Sequence, residues 1–406
     1  MPGLLSCPVE TYLPLLLKLW RDRSAVRPLR RDMPARGTAF TESELWEAGH
    51  AVRELSRGFT RDRRLAGRSY MDDPRLLGGY LLYFWPVSYA QTWAAATLAG
   101  LLRPSTNRRV LDIGSGPGPS SLALADMGMS SVTAADRSDA SLALARDIAR
   151  DAGKRLQTRT ADLTKESDVE RLSGSGPFDL LVAVHTLNEL WVADPDRIQR
   201  RVTLMVRLAR LLAPGGRVLL VEPALTTTAN DSILVRDSLV RDGWTVVSPC
   251  TFAGDCPALP SGTCHAEVAW DPPRAVTRLA HAARIGKEAL AFSYFLLAPK
   301  GTERAADDVE AQRPTSHPVG HYRVVSERFL AKSGRVRLLV CGPEGRFPVS
   351  VDGRSELPAA RTLRGLGRYD LVSVERAEKR ETGYGLTGES SLRVVRRALG
   401  RSQREP

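Results

Sequence analysis

The chain has 406 residues, 43% of them apolar and 26% charged, with a formal net charge of +12 and five cysteines. That length exceeds one ordinary compact domain, and the apolar share supplies a real core, which excludes a disordered or fibrous chain. No run approaches the ~18 apolar residues that span a bilayer, five cysteines in so long a chain do not read as a disulfide framework, and the cationic surplus points to an anionic partner, nucleic acid ahead of membrane surfaces.

Residues 1–40 show no clear periodicity and are expected to be a disordered N-terminus. Pro14 to Trp20 is too short for a signal peptide and lacks a cleavage site. The basic stretch Arg21 to Arg36 reads as a transit segment, or as sequence upstream of a start at Met33; a cytoplasmic, bacterial-type setting is expected. From Thr41, the capping-box pattern Thr41-x-x-Glu44 opens a helix to about Arg57. An acidic turn, Tyr70-Met-Asp-Asp-Pro74, precedes an aromatic-rich helix from Leu76 to Trp85. Pro86 is expected to interrupt it before a helical pattern resumes over Tyr89–Leu101. Residues 41–105 therefore read as a helical subdomain covering one edge of the next domain.

Residues 106–300 alternate strands and helices as a doubly wound α/β sheet demands. Strands are predicted at Val110–Ile113, Ser131–Ala135, Leu156–Thr160, Leu180–Val184, Arg217–Val221, Thr245–Val247 and Leu290–Leu297. Helices fall at Pro119–Met127, Asp139–Ala152, Asp194–Leu212 and Asp231–Arg241. A Cys-rich loop, 249–273, interrupts the pattern. Residues 301–320 read as a linker. Four β runs within 321–375 suggest a small, barrel-like appendage, and 376–406 a basic tail.

The first strand ends in Asp112-Ile-Gly114-Ser-Gly116-Pro-Gly118 and is followed by a helix with proline in its first turn. Glycines let the backbone approach a ligand and present N–H groups to it. The pattern is tighter than the dinucleotide fingerprint G-x-G-x-x-G. It resembles the first motif of S-adenosylmethionine-dependent methyltransferases, which implies a Rossmann-like class I sheet of seven strands whose last strand enters antiparallel. It also implies Asp112 near the cofactor's amino group. Asp136, ending the second strand about twenty residues on, is placed to accept ribose hydroxyls, and Asp162, ending the third, to hold an adenine amino group. The fourth strand runs into His185-Thr-Leu-Asn188-Glu189, the position that faces the transferred methyl in such enzymes. No base-methylating Asn/Asp-Pro-Pro-aromatic motif and no cysteine nucleophile is present there. Asn188 and Glu189 are the candidate catalytic residues, and His185 is counted with the cofactor site.

Cys250, Cys256 and Cys264 sit as C-x5-C-x7-C in a polar loop, with Cys341 far downstream. Clustered thiols in such a loop suit an iron–sulfur cluster or zinc better than core packing. The glycine loop, His185-Thr-Leu-Asn-Glu-Leu, Val221-Glu-Pro223, Pro249-Cys…Cys256-Pro…Cys264-His265, Phe292-Ser-Tyr294 and Cys341-Gly-Pro-Glu-Gly occur in one order. That series resembles the methyltransferase-like factors of the small ribosomal subunit, over roughly residues 41–350. The resemblance implies a [4Fe–4S] cluster on Cys250, Cys256, Cys264 and Cys341, S-adenosylmethionine as cofactor, and ribosomal RNA of the small subunit as partner. Relatives tend to carry Cys-Pro-His-Asp where this chain has Cys250-Thr-Phe-Ala, so a cluster that staples the β appendage is expected ahead of a redox centre. Arg274, Arg278, Arg284, Arg393, Arg396 and Arg397 are candidate phosphate contacts.

Overall fold

The computed structural model of the chain describes residues 7–23, 40–67, 70–101, 108–286, 289–301 and 321–398. Met33, the expected linker beyond Gly301 and the end of the expected tail, 399–406, lie outside the described residues.

The first sheet holds β1 (Arg109–Ile113), β2 (Ser131–Asp136), β3 (Gln157–Thr160), β4 (Phe178–Val184), β5 (Leu212–Pro223), β6 (Thr245–Ser248), β7 (Ala266–Ala269) and β8 (Ala289–Ala298). Its order is β3-β2-β1-β4-β5-β8-β6, with β7 also pairing β8. The first five strands pair parallel, and β8 runs antiparallel to β5, β6 and β7. This is the class I methyltransferase arrangement, with eight strands rather than the seven expected. The extra strand, β7, lies inside the Cys-rich loop. Its alternation is only four residues long, with Ala266 and Val268 buried and Glu267 and Ala269 turned out, too short to stand out among prolines and glycines. The inner strands are buried on both faces, as helix-covered parallel strands must be.

The helix Glu42–Thr60 opens on the expected capping box. Thr41 Oγ1 accepts the Glu44 N–H at 3.2 Å, and Glu44 Oε2 accepts the Thr41 N–H at 2.9 Å. Pro86 does not interrupt the next helical stretch. The turn Tyr80–Phe84 is a π-helix in which the Trp85 N–H reaches Tyr80 O, and Pro86 falls in the first turn of the helix Trp85–Leu98. A widened turn accommodates the missing donor where a regular helix would kink.

The N-terminal segment departs from expectation. Pro8–Tyr12 is a 3-10 turn and Leu13–Arg23 a helix. Leu13, Leu16, Leu17 and Trp20 recur at helical spacing and are all buried. Tyr12 and Tyr89 both donate to Asp126 Oδ2 at 2.7 Å, which ties this helix to the body of the molecule.

The second sheet comprises β9 (His321–Val324), β10 (Phe329–Leu330), β11 (Arg335–Gly342), β12 (Gly345–Asp352), β13 (Leu371–Glu375), β14 (Glu378–Arg380), β15 (Gly383–Gly385) and β16 (Ser391–Arg396). The order is β14-β15-β12-β11-β9-β13-β16, with β10 on β11. Its apolar face packs on the helix Pro358–Gly365 through Val324, Val340, Val372 and Leu363. The basic tail expected from 376 is corrected by this sheet. Residues 376–396 supply its last three strands, because Leu392 is buried in β16 while the exposed Arg393 and Val395 lie between its inward residues.

Candidate functional sites: a glycine-loop cavity and a ring of thiols

A cavity of about 540 Å³ opens over the carboxyl ends of β1, β2 and β4, within the ~300–1,000 Å³ usual for small-molecule sites. Gly114, Gly116, Asp136, Asp162, His185, Asn188 and Glu189 all lie on its wall. Gly114 has φ +63°, and a Cβ there would come within 2.6 Å of Thr186 Oγ1 and nearer still to its methyl. Gly118, at φ +80°, starts the helix Pro119–Asp126 behind the loop.

The carboxylates play different parts. Asp136 accepts the Gly116 and Ser138 N–H groups, each at 2.9 Å, which fixes its side chain against the glycine loop. Asp162 accepts the Thr164 N–H at 3.0 Å and the Thr164 hydroxyl at 2.7 Å. Burial pulls its carboxyl up, but Thr164 and Lys165 outweigh that and hold it below the usual carboxylate range. Asp112, expected beside the cofactor's amino group, is fully buried and absent from the cavity wall. Its Oδ2 takes the Ser120 and Ser121 hydroxyls at 2.6 Å each, and burial pushes its carboxyl up to about 6.

Asn188 Oδ1 accepts from Arg63 at 2.7 Å, and Glu189 Oε2 accepts the Gly67 N–H at 3.4 Å. His185 sits at φ +56° with Nε2 2.8 Å from Gln91 Oε1. Sequence reasoning missed these N-terminal partners. Phe59, Tyr70, Tyr80 and Phe84 pack with centroids 4.9–6.3 Å apart, Phe59 edge-to-face on Tyr70 and Phe84, Tyr70 tilted on Tyr80 and Tyr80 stacked on Phe84, and form an aromatic wall opposite the glycine loop. The π-helical turn is the device that presents both Tyr80 and Phe84 to the cavity. A run as aromatic as Tyr80-Leu-Leu-Tyr-Phe-Trp85 was the available signal, since rings gathered on a helix need not all be core.

Two glutamates, Glu222 buried and Glu189 half-buried, carry protons at unusually high pH. Desolvation pushes Glu189 up to about 7, opposed by the Gly67 amide and Arg63. It does the same to Glu222, whose Oε1 accepts the Leu187 N–H at 2.9 Å, against the pull of Asn188 and Arg201. The folded chain therefore keeps the Glu222 proton to about pH 7, whereas the unfolded chain releases it near 4.5. Stability should be fully present below that window and fall by about 3 kcal/mol as pH rises through it. Glu222→Gln is expected to flatten this loss in urea unfolding at about pH 5 and 7; an unchanged slope would refute the assignment.

The second site lies where the two sheets meet. Cys250, Cys256, Cys264 and Cys341 line one small cavity, together with Thr251, Arg323, Arg346 and Tyr369. β11–β12 and β11–β9 registers set Cys341 opposite Arg346 and Arg323, so the appendage offers one thiol and two cations on one face. Arg323 is buried and donates to Pro249 O at 2.9 Å and Tyr369 O at 3.0 Å. Arg236, fully buried, pairs with Asp237 at 2.7 Å, and Asp237 accepts the Cys256 N–H at 3.0 Å. Burial pushes the Cys256 thiol up to about 12, with Cys250 adding to it. Arg236 Nε, Arg346 Nε, Arg368 Nε, Thr251 Oγ1 and Thr263 Oγ1 are buried without a hydrogen-bond partner, a concentration of orphaned donors around the thiols. Among the described residues no group of three or more His, Cys, Asp or Glu side chains is arranged to hold a single metal ion. His265 is turned away to Arg368, its Nε2 2.7 Å from that guanidinium.

Of the candidate phosphate contacts, Arg397 holds Asp370 at 2.8 Å, and Arg278 lies 3.6 Å from Glu42. Arg284 closes the helix Arg274–Ala283 in a left-handed conformation. Among the described residues no helix is long and apolar enough to cross a membrane.

No curated protein sequence matches the chain. Among solved structures, TrmN from Thermus thermophilus is 21% identical, with 54% of this chain and 53% of that one covered at a TM-score of 0.34. Ribosomal protein L11 methylase from Lactobacillus delbrueckii subsp. bulgaricus is 17% identical, covering 52% and 80% at 0.32. A fibrillarin/Nop5p complex gives 15%, 51%, 82% and 0.31. The chain thus spans about half the length of TrmN. A model of the family described as mitochondrial small ribosomal subunit Rsm22 matches residues 79–361. That description leans against the cytoplasmic, bacterial-type setting expected from the sequence. With the match running from the aromatic helix through the glycine loop and all four clustered cysteines into the second sheet, the chain is methyltransferase-like in fold and belongs to the mitochondrial small ribosomal subunit Rsm22 family.

Proposed function

We propose that the chain is a small-subunit ribosomal factor that binds S-adenosylmethionine in the glycine-loop cavity, holds a [4Fe–4S] cluster on Cys250, Cys256, Cys264 and Cys341, and contacts ribosomal RNA. The observation that carries the reading is the convergence of four cysteines, one of them from the other sheet, on a single cavity rimmed by orphaned donors. A cluster with four thiolates is anionic, and buried N–H and O–H donors facing its sulfurs are the surroundings such a group needs. Zinc on these residues finds less support, since a lone ion requires its ligands much closer together.

The first cavity suits an adenosyl cofactor in its donor set. Ser115 Oγ, on the wall, is buried without a partner, and Asp136 stands ready on the β2 edge. Gly114, Gly116 and Asp136 would hold the cofactor, with Asp162 beside it; when bound, it supplies an electrophilic methyl group. Glu189, its carboxyl pushed up to about 7, would in its ionised form be a group on this wall able to take a proton from an acceptor near neutrality.

A second reading, a binding factor without turnover, has its own support. Asn188 and Glu189 are both engaged by the N-terminal segment, through Arg63 and Gly67. Transfer of a labelled methyl group to small subunits separates the two, with Glu189→Gln expected to abolish it. Titration calorimetry with S-adenosylmethionine and iron analysis after anaerobic purification test what the readings share. No binding and no iron would sink both.

A further inference from the structure

We infer that a row across the thiol-bearing face of the second sheet, away from the cysteines, Phe329–Arg337–Ser350–Gly385 with Arg335 and Arg380 beside it, is a landing surface for single-stranded RNA; the choice of RNA among polyanions rests on the ribosomal reading above. The row follows from register. Phe329 pairs with Arg337, Arg337 with Ser350 and Ser350 with Gly385, so four neighbouring strands set these residues side by side. Side chains two apart on a strand share a face, so Arg335 and Arg337 continue the side of β11 that carries Cys341.

The chemistry of the row is cationic and aromatic at once. Among the described residues, no carboxylate stands within ion-pair distance of Arg335 or Arg337, and Arg337 Nε is buried without a partner. Arg335 spends its Nε and Nη2 on Ser350, at 3.3 Å each. Arg380 reaches over Gly385, where a Cβ would come within 2.5 Å of its guanidinium carbon. It also meets Glu378 at 3.0 Å, an exposed pair that screens it weakly. Burial first, and then the nearby Arg380 and Arg337, hold the Arg335 guanidinium below its usual range, with Asp352 and Glu378 offsetting in part.

Between His321 and Arg397 the chain carries sixteen Lys and Arg against nine Asp and Glu. On this face Arg335, Arg337 and Arg380 stand with two carboxylates, Asp352 opposite Arg335 and Glu378 beside Arg380, and the cationic surplus that remains suits a polyanion. At the end of the row Phe329 is 44% exposed. An exposed ring beside guanidinium groups suits an unstacked base with its phosphates, whereas a duplex keeps its bases stacked and offers the ring nothing.

Fluorescence anisotropy of a labelled, unstructured oligoribonucleotide against the full chain tests this. Phe329→Ala should weaken binding by about 5- to 150-fold with the salt slope unchanged, and Phe329→Trp should restore it. Arg337→Gln should lower the slope of log affinity against log salt by about 0.7 for each phosphate the side chain neutralises. Phe329 is a surface residue, and circular dichroism checks that each variant is folded. Wild-type affinity in both Phe329→Ala and Arg337→Gln, or binding to duplex RNA as tight as to single strand, overturns the proposal. Cosedimentation with small subunits is measured alongside. If the wild type cosediments while the variants bind the oligonucleotide unchanged, this surface is wrong and the ribosomal reading stands; if it does not cosediment, the ribosomal reading fails by itself.

Discussion

Replacing Cys341 by serine is expected to empty the thiol ring of iron and to loosen the second sheet from the first. Three of the four thiols sit in the loop after β6, and Cys341 alone comes from β11. With it the appendage brings Arg323, buried at 8% exposure and bonded to the carbonyl oxygens of Pro249 and Tyr369. Removing the anionic group leaves that guanidinium buried without compensation, a change of the kind that costs about 3–5 kcal/mol. Iron content and visible absorbance should fall together, and amide exchange should accelerate in β9 and β11. Cys7, which lies apart from the ring, serves as control, and Cys7→Ser should change neither measurement. A Cys341→Ser protein that keeps both its iron and its β9 protection would remove the basis for the cluster.

The second large effect is expected from Gly114→Ala. A left-handed conformation costs a non-glycine residue roughly 1–2 kcal/mol, and the added methyl meets the Thr186 side chain, whose Oγ1 would lie 2.6 Å away. Forcing a methyl into such a contact costs about 1–3 kcal/mol more. The loop would shift off its bonds to the β2 edge, so S-adenosylmethionine binding should weaken by on the order of 100-fold or more. Thr186→Ala in the same chain should recover the steric part only, at the loss of the Thr186 hydroxyl bond to Ile113 O at 2.9 Å. A double-mutant cycle on thermal stability and calorimetric affinity measures that coupling. Strict additivity of the two substitutions would mean that the loop accommodates the methyl elsewhere.

Local pattern carried the reading furthest where one element's own period decides its fate. The capping box at Thr41, the strand before Gly114 and the helix after Gly118 each depend on contacts within a few residues, and each is found. The failures share a cause too. Leu13–Arg23 has helical spacing, but proline and flanking arginines obscured it. β16 is a strand whose outer residues are basic, and it resembled a tail until a partner strand appeared beside it. Pro86 looked like a break because its accommodation rests on a π-turn five residues long, which no simple period reveals.

Asp112 marks the same boundary inside the site. Its place at the end of β1 was legible, but its direction was not, and two serines of the following helix turn it inward. The amino-acid sequence alone determined the α/β alternation, the glycine turn and the set of cysteines, because backbone conformation and hydrophobic period are local properties. Only the tertiary structure decided that Arg63, Gln91 and the aromatic helix wall the cavity, that Cys341 joins its three distant companions, and that Phe329 aligns with Arg337. Those meetings depend on strand register and helix packing across long separations, where a shift of one residue turns every side chain to the opposite face.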